Sequence, residues 1–454
     1  MKLSAALKSS NMAVRGITWL IAFLLLTMLW IMLLRLLPLN GVYQYIGSTG
    51  MTGTQSLVTM TLLPPAILIF MGWLGFRAIV QSLAPNVAAA VAAPAQASSI
   101  AQADEMLCIA AWSAITPFGD AAATIDGSRN QEKVFRPDGD VRDVDGHPVH
   151  SAAVKELPLE DLGYPSQARS RVMRITAMTV PVLDALHDQQ EMLTKSIVAH
   201  VAVYWLIPAV MPADNEARSH FAAAWSRSRW RDVAYDLHIL PASESAYGAL
   251  NAMQLNAGPA DMPYALLLAA DSLIDPDELM MPLSKNLVFS GQALDGFVPA
   301  EGAAGLLLVD SAFATRSRLT GLCTLGPVHR GLRSSDRVVK GKADSSVLTN
   351  CVTEAMTASR IRAGEIGNVV GDTDHRFPRT AEVIDAMGKT LPELDPLSQR
   401  IAPMAYAGYF GAASDLIHIA LAAELATASE QAALVVSVAD VRQTAAAVIF
   451  PERA

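Results

Sequence analysis

Cysteine and charge are both scarce in this sequence. Only three of the 454 residues are cysteines, and they stand far apart in no metal-ligand spacing. Charged residues make up 17% of the chain against 52% hydrophobic ones, which is apolar for a soluble protein. The phosphate-binding loop, the dinucleotide fingerprint, the zinc-protease helix and the nucleophile elbow are also missing. We therefore expect reduced, mostly buried thiols, no metal and no cofactor.

Acidic residues are absent from the first 103 positions, which contain two long uncharged apolar stretches. About 20 apolar residues cross a bilayer as a helix, so the sequence predicts transmembrane helices at about 17–37 and 57–80. The alternative is a cleaved signal peptide, with the alanine-rich stretch 88–97 resembling a cleavage site. The first apolar run is too long for that, and a second follows at once. Residues 1–83 are thus predicted to be a two-helix membrane anchor.

The basic residues near the two spans predict their orientation. Lys2, Lys8 and Arg15 precede the first span and Arg77 ends the second, whereas the connecting loop 38–56 has no lysine or arginine. Because basic residues accumulate on the cytoplasmic side, both termini and the body of the protein are expected in the cytoplasm.

An uncharged Ala/Pro/Ser-rich stretch, 84–103, follows the anchor and is typical of a linker. Beyond it, 29 basic residues stand against 43 acidic ones, a net charge of −14. Such a body is not attracted to nucleic acid phosphates, and a basic protein partner suits it better. Its apolar strands alternate with amphipathic helices, which predicts a layered α/β body. The acidic run 138–146 does not have the spacing of a calcium loop, so we interpret it as a polar surface hairpin or loop with Asp-Gly turns.

The stretch Asp271–Asp310 carries a resemblance to a known family. It contains D-S at its start and then G-F-V-P-A-E-G-A-A-G-L-L-L, which resembles the D-S and G-F-x-P-G-E-G-A-A-x-L-L-L run of β-ketoacyl synthases. The segment I-T-P-F-G at 115–119 resembles the opening of the same enzymes. The resemblance implies a thiolase-like five-layer αβαβα body of two related halves, 104–315 and 316–454.

In that family a cysteine attacks the acyl thioester, and two histidines act on the malonyl unit and its carbonyl. The T-A-C-x-S motif reads P-A-S-E-S here, which places Ser243 at the cysteine. The H-G-T-G-T motif reads D-T-D-H-R, with Asp372 at the histidine. The G-H-T-x-G-A-A-G motif reads A-G-Y-F-G-A-A-S, with Gly408 at the histidine. The G-F-G-G-T-N loop becomes A-D-V-R-Q-T at 439–444. The sequence thus predicts the scaffold without the condensing chemistry, and not an enzyme.

An enzymatic alternative stays open at this point. Ser243 could act as a nucleophile if a base lies within hydrogen-bond reach. His375 is the histidine nearest to a matching motif, and Asp372 and Asp374 could orient it, which would form a residual polar site. The competing interpretation makes Ser243 a helix N-cap and His375 a surface loop residue.

A membrane hairpin that carries such an altered scaffold is similar to the adaptor proteins of type VI secretion lipases. The segments 371–379 (G-D-T-D-H-R-F-P-R) and 391–395 (L-P-E-L-D) add to this resemblance. It implies a bacterial inner-membrane adaptor whose partners are a lipase effector and a spike protein. The competing class is an acyl-processing or accessory ketosynthase subunit at the membrane. A homodimer that serves as a scaffold is a third alternative.

Overall fold

The structure is a computed structural model of the full chain, described over residues 106–143, 145–193, 200–208, 211, 215–240, 245–255, 264–291, 293–333 and 344–452. The predicted spans 17–37 and 57–80, the linker 84–103 and Ser243 lie outside these residues. In the described part, no helix is both long and apolar enough to cross a bilayer.

Among the described residues, the first half of the body contains seven strands and six α-helices. In chain order they are β1 (Leu107–Ile115), α1 (Ala121–Arg129), β2 (Arg136–Arg142), β3 (Pro148–Ser151), α2 (Arg171–Leu193), β4 (His200–Leu206), α3 (Asn215–Arg227), β5 (Ala234–Leu240), α4 (Ala246–Leu255), β6 (Tyr264–Ser272), α5 (Pro276–Ser284), β7 (Glu301–Asp310) and α6 (Ser311–Ser317). The predicted surface hairpin over the acidic run 138–146 is present as the antiparallel pair β2 and β3.

The second half repeats the alternation of strands and helices. Its elements are β8 (Cys323–Leu325), β9 (His329–Leu332), α7 (Ser346–Ala358), β10 (Ile366–Gly371), α8 (Phe377–Thr390), β11 (Arg400–Ile401), α9 (Met404–Ala407), α10 (Ser414–Ser429), β12 (Ala432–Ser437) and β13 (Gln443–Pro451). Short 3-10 turns at 160–162, 363–365 and 411–413 complete the described elements.

The same strand order occurs in both halves. The first half pairs as β5-β4-β6-β7-β1 and the second as β11-β10-β12-β13-β8. Numbered within its own half, and without the β2–β3 hairpin and β9, each sheet has the order 3-2-4-5-1. The first strands of the two halves, β1 and β8, pair with each other and join the two sheets at one edge. The two related halves predicted from the sequence are therefore present.

Alternation of side chains along the strands separates three apolar cores. On β7, Leu306 and Leu308 face a central core that includes α10, whereas Leu307 and Val309 face an outer core that includes α2. A third core lies between β10, β12 and the helices α7 and α8. Helix α10 is largely apolar and buried on nearly all sides, as expected for a helix enclosed between two sheets. Two outer helical layers, two sheets and a central helical layer make the predicted five layers.

Small residues on β7 allow the helices to approach its backbone. A Cβ atom on Gly302 would lie 2.8 Å from the Cδ1 atom of Ile417 on α10. A Cβ atom on Gly305 would lie 2.7 Å from the Cδ1 atom of Leu186 on α2. The G-A-A-G run therefore permits the close packing of one helix on each face of the strand.

A buried ion pair joins the start of β7 to α2. Arg174 donates from Nε to Glu301 Oε2 over 2.6 Å, and its Nη2 donates to Oε1. The Ser272 hydroxyl donates to Glu301 Oε2 over 2.8 Å, and the Val154 amide donates to Oε1 over 2.6 Å. Glu301 is fully buried, so its charge depends on these donors.

The three cysteines are free and buried, as the sequence predicts. Burial raises the pKa of each of the thiols of Cys108, Cys323 and Cys351 to about 11. Thiols with such a pKa carry almost no thiolate at neutral pH, and they are unreactive in this environment.

Replacing Glu301 by alanine should be strongly destabilising, because it leaves the guanidinium of Arg174 buried without a counter-charge. We expect a loss of about 3–5 kcal/mol in the free energy of unfolding, measured by urea denaturation. The control is Asp188→Ala, which breaks a pair with Arg229 whose side chains are 44% and 58% exposed. That change should cost about 0–1 kcal/mol, and equal losses for the two variants would contradict this account.

Candidate functional site

Segments that correspond to the four ketosynthase motifs line one cavity of about 420 Å³. Ser245 and Tyr247 reach it from the start of α4, and Asp372 reaches it from the end of β10. The loop around Tyr409 and the loop from Ser437 to Ala445 form the other walls. Ser243 lies two residues before Ser245, outside the described residues. Among the described residues, no group of three potential metal ligands lies close together.

Asp372 holds the loop that follows β12. Its Oδ1 atom accepts the Val438 amide over 2.6 Å, and its Oδ2 atom accepts the Ala439 amide over 3.0 Å. The Ser437 hydroxyl also donates to Oδ2, over 2.7 Å. Three donors bind a carboxylate that is only 3% exposed. Asp372 therefore anchors the loop that follows β12.

Asp415, in the first turn of α10, is the second carboxyl group of the cavity. Its Oδ1 atom lies 3.3 Å from Ser437 Oγ. The Ser437 hydroxyl has one proton, which it donates to Asp372, because that oxygen is closer, at 2.7 Å. Burial, and then the negative charge of Asp372, raise the pKa of Asp415 to about 7. A protonated Asp415 can donate to Ser437 and so complete a chain of hydrogen bonds from Asp415 through Ser437 to Asp372.

Gly408, which the sequence resemblance aligns with the second histidine, has a backbone conformation that suits glycine. Its φ is +101°, and a Cβ atom there would lie 2.7 Å from the Val298 carbonyl oxygen. The amide of Tyr409, the next residue, donates to that same carbonyl over 2.8 Å. A histidine at position 408 would need a different path of the backbone at this point.

Asp271 ties the start of the D-S motif to the glycine-containing turn before α10. Its carboxylate accepts the Ala412 amide over 2.7 Å and pairs with Arg171, whose Nε and Nη2 atoms donate over 2.8 and 3.0 Å. A Cβ atom on Gly411 would lie 2.0 Å from Asp271 Oδ2. The sequence motif thus connects β6 of the first half to the loop that carries Gly408.

His375, a member of the residual polar site considered from the sequence, contacts a carbonyl oxygen and an aromatic ring. The Nε2 atom of His375 lies 3.3 Å from the Leu294 carbonyl oxygen, and its ring packs edge-on against Phe289. Asp374 instead accepts the Arg376 amide over 2.9 Å and the Arg376 Nε over 2.7 Å. The carboxylates of Asp372 and Asp374 therefore have other partners, and neither orients His375.

Two buried polar side chains near the cavity were missed by sequence reasoning. Among the described residues, the Tyr247 hydroxyl and both ring nitrogens of His418 have no hydrogen-bond partner of good geometry. Burial raises the pKa of Tyr247, with Asp415 and Asp372 contributing. Burial lowers the pKa of His418, although the Ser414 backbone favours its charged form. The sequence signal that could have drawn attention to this region is the presence of Ser414, Asp415 and His418 in the largely apolar helix α10.

The strand order, the layers and the motif positions together define a thiolase-like ketosynthase fold. One similar structure is the ishigamide ketosynthase/chain length factor, with 19% identity over 77% of this chain and 100% of the other, at a TM-score of 0.53. A chain from the structure of a type II polyketide synthase acyl-carrier protein in complex with its ketosynthase is also similar. It has 11% identity over 76% of this chain and 99% of the other, at a TM-score of 0.57. A β-ketoacyl synthase from Burkholderia phymatum matches at 13% identity, 77% and 100% coverage and a TM-score of 0.53.

Identities this low establish a shared fold. No protein-family model matches the sequence, and no curated protein sequence does so either.

Replacing Gly408 by alanine tests the backbone constraint at the position of the second histidine. Because φ is positive and a Cβ atom would meet the Val298 carbonyl, we expect a loss of about 1–3 kcal/mol in unfolding free energy. Gly388→Ala is the matched control, since no atom lies within 4 Å of its Cβ position in α8. That variant should be neutral or about 0.5–1 kcal/mol more stable in urea titrations. A neutral Gly408→Ala would show that the position tolerates side chains.

The raised pKa of Asp415 predicts a pH-dependent stability. The unfolded carboxyl loses its proton near pH 3.8 and the folded one near pH 7, so the folded state binds more protons in between. Stability should therefore fall as the pH rises from about 4 to about 7. Asp415→Asn has no carboxyl to titrate at this position. Between about pH 4 and pH 7, its free energy of unfolding should therefore rise by about 2–4 kcal/mol relative to that of the wild type. In urea titrations at each pH, the control Asp232→Asn on the surface should follow the wild-type curve, and an unchanged slope in Asp415→Asn would refute the assignment.

Proposed function

We propose that this protein is a non-catalytic, membrane-anchored adaptor built on a ketosynthase-like scaffold, and that it recruits a lipase effector to a type VI secretion spike. The observation that supports the first part is that Asp372 accepts three hydrogen bonds, from Ser437, Val438 and Ala439, and is almost fully buried. Hydrogen bonds to the charged form make a carboxylate a weaker base. Here the group at the first histidine position is used to hold a loop.

Gly408 supports the same conclusion. Its backbone leaves no room for a side chain at the second histidine position, and the nucleophile position carries Ser243 in place of cysteine. His375, the histidine available as a base, contacts Leu294 and Phe289. Loss of a nucleophile and both bases would leave the scaffold for binding.

The proposal includes the membrane anchor because the sequence predicts it. Residues 1–83 would hold the protein in a bacterial inner membrane, and the linker 84–103 would place the halves 104–315 and 316–454 in the cytoplasm. Lipase and spike partners follow from the resemblance to type VI secretion adaptors. A homodimer would use the outer strand β5, which pairs on one side with β4 and, within the described residues, with no strand on the other.

The alternative is a membrane-associated acyl-processing or accessory β-ketoacyl synthase-like enzyme that uses Ser243. The feature in its favour is position, since α4 begins beside the cavity a few residues after Ser243. A serine there would be close to the positive end of the helix dipole, which stabilises a developing oxyanion.

Acyl transfer and partner binding can be separated in one experiment. The full-length protein is incubated with acyl thioesters, and its intact mass is compared with that of Ser243→Ala. We expect no acyl adduct on either protein. The same protein, recovered from the membranes of its own cells, should carry a lipase or a spike protein identified by mass spectrometry.

An adduct on the wild type that disappears in Ser243→Ala would favour the enzyme. Recovery of acyl carrier protein in place of a lipase or spike protein would favour the accessory subunit. The anchor is checked in the same preparation, because a transmembrane hairpin should stay in the membrane pellet after alkaline washing. Extraction by that wash would contradict the predicted spans.

A further inference from the structure

Arg400, at the start of β11, is a half-buried cation that lacks a counter-charge. Its Nη1 atom donates to the Thr373 hydroxyl over 2.8 Å, and its Nε atom is buried without a partner. Within the described residues, no carboxylate forms an ion pair with its guanidinium. Burial lowers the pKa of this group from its usual value, because the charged form loses hydration.

The other buried or half-buried arginines of the described part all have carboxylate partners. They are Arg169, Arg171, Arg174, Arg333, Arg376 and Arg379. This pairing is expected, because a charge removed from water without a partner is costly. Arg400 differs from all six, and a ligand is the remaining source of its negative partner.

The acidic side chains beside Thr373 are bound elsewhere. Asp372 accepts hydrogen bonds from residues 437–439, and Asp374 pairs with Arg376. Tyr406 is the titratable group that acts on Arg400, and its phenol is a hydrogen-bond donor rather than a counter-charge. The charge of Arg400 is therefore available to a ligand.

The guanidinium lies at an edge of the second sheet that suits anions. Strands β10 and β11 are parallel, and Thr373 follows the carboxyl end of β10 by two residues. Helix α8 begins four residues after Thr373, so its positive end lies on the same side. Ligands of α/β sheets bind outside the carboxyl ends of the strands. The Nη2 atom of Arg400 has no protein partner within the described residues and is not buried, so a ligand can reach it there.

A single uncompensated positive charge matches a monovalent anion. A phosphate dianion would bring a second negative charge, and the nearby Arg376 is already paired with Asp374. The body also carries 43 acidic against 29 basic residues, which repels a polyvalent anion. A carboxylate has one charge, and its two coplanar oxygens fit the donors of a guanidinium. The charge and the donors therefore indicate a carboxylate.

We propose that Arg400 and Tyr406 form a binding site for a carboxylate group, carried by a small organic acid or by an acidic side chain of another protein. The carboxylate accepts hydrogen bonds from Arg400 Nη2 and from the Tyr406 hydroxyl. The site is separate from the cavity at Asp372, because neither residue lines that cavity. This inference does not depend on the adaptor function, and its test involves neither a lipase nor an acyl thioester.

Thermal unfolding of the full-length protein in detergent provides the test. The probes are acetate against acetamide, and N-acetyl-glutamate methylamide against the glutamine analogue, which lacks the charge. Sodium chloride brings every sample to the same ionic strength. At about 100 mM, each carboxylate should raise the unfolding temperature by about 2–3 °C through binding to the folded state. The neutral analogues should leave it unchanged, and inorganic phosphate should raise it less than acetate does.

Variants link the shift to the site. Arg400→Gln should lose the shift that carboxylates cause, and Arg400→Lys should keep part of it because the charge remains. Tyr406→Phe removes one donor and should weaken binding by about 3- to 10-fold. The control is Arg231→Gln, which changes an arginine whose side chain is 69% exposed and should respond as the wild type does.

Unfolding without a probe separates binding from folding. Arg400→Gln removes a charge that has no partner, so its unfolding temperature should stay within about 2 °C of the wild type. Arg333→Gln instead breaks the buried pair with Glu382 and should lower that temperature by at least about 4 °C. A similar loss in both variants would show that Arg400 is compensated within the protein, which overturns the inference.

Each result with the probes also decides the inference. A shift with the glutamate derivative supports an acidic side chain as the source, and a shift with acetate alone supports a small acid. Absence of a shift with either carboxylate, equal shifts with the neutral analogues, a larger shift with phosphate, or a full shift in Arg400→Gln overturns it.

Discussion

The buried pairing of Arg174 with Glu301 is the interaction on which the rest of the structure depends. Glu301 starts β7, the strand that lies beside β1 and between the helices α2 and α10. Its carboxylate gathers donors from α2, from the end of β6 and from the segment before α2. Because an unpaired buried charge is costly, the pair fixes the position of β7. The neighbouring Arg171–Asp271 pair extends this arrangement to the turn before α10.

The geometry of the cavity depends on these two ion pairs. Asp271 holds the Ala412 amide, which positions the turn after Gly408, and the same turn begins α10 with Asp415 in its first turn. On the opposite wall Asp372 binds the loop after β12. Two carboxylates thus organise the loops, one from each half of the body. A third, Asp415, lies near Asp372, and burial followed by the charge of Asp372 raises its pKa to about 7.

Sequence reasoning reached the fold through local signals. Apolar strands and amphipathic helices each reflect a constraint that acts within a short stretch of chain. Those constraints predicted a layered α/β body, and the resemblance to ketosynthases implied its five layers. They did not predict that Tyr247 on α4 and Asp415 on α10 lie near each other. These two helices are separated by more than 150 residues and meet through packing in the central layer. Nor did they predict the partners of His375 and Asp372, which are the Leu294 carbonyl and Phe289 for the first and residues 437–439 for the second.

By itself, the sequence determined the residue types at Ser243, Asp372 and Gly408, the positions that its resemblance to ketosynthases singled out. It also determined the strand and helix alternation, since periodicity depends on local backbone geometry. Only the tertiary structure decided what Asp372 and Gly408 contact. Asp372 is a loop anchor because Ser437, Val438 and Ala439 converge on it, and Gly408 is required because the Val298 carbonyl lies against it. Partners distant in sequence decide the role of a buried polar group, since burial makes each unmet hydrogen bond costly.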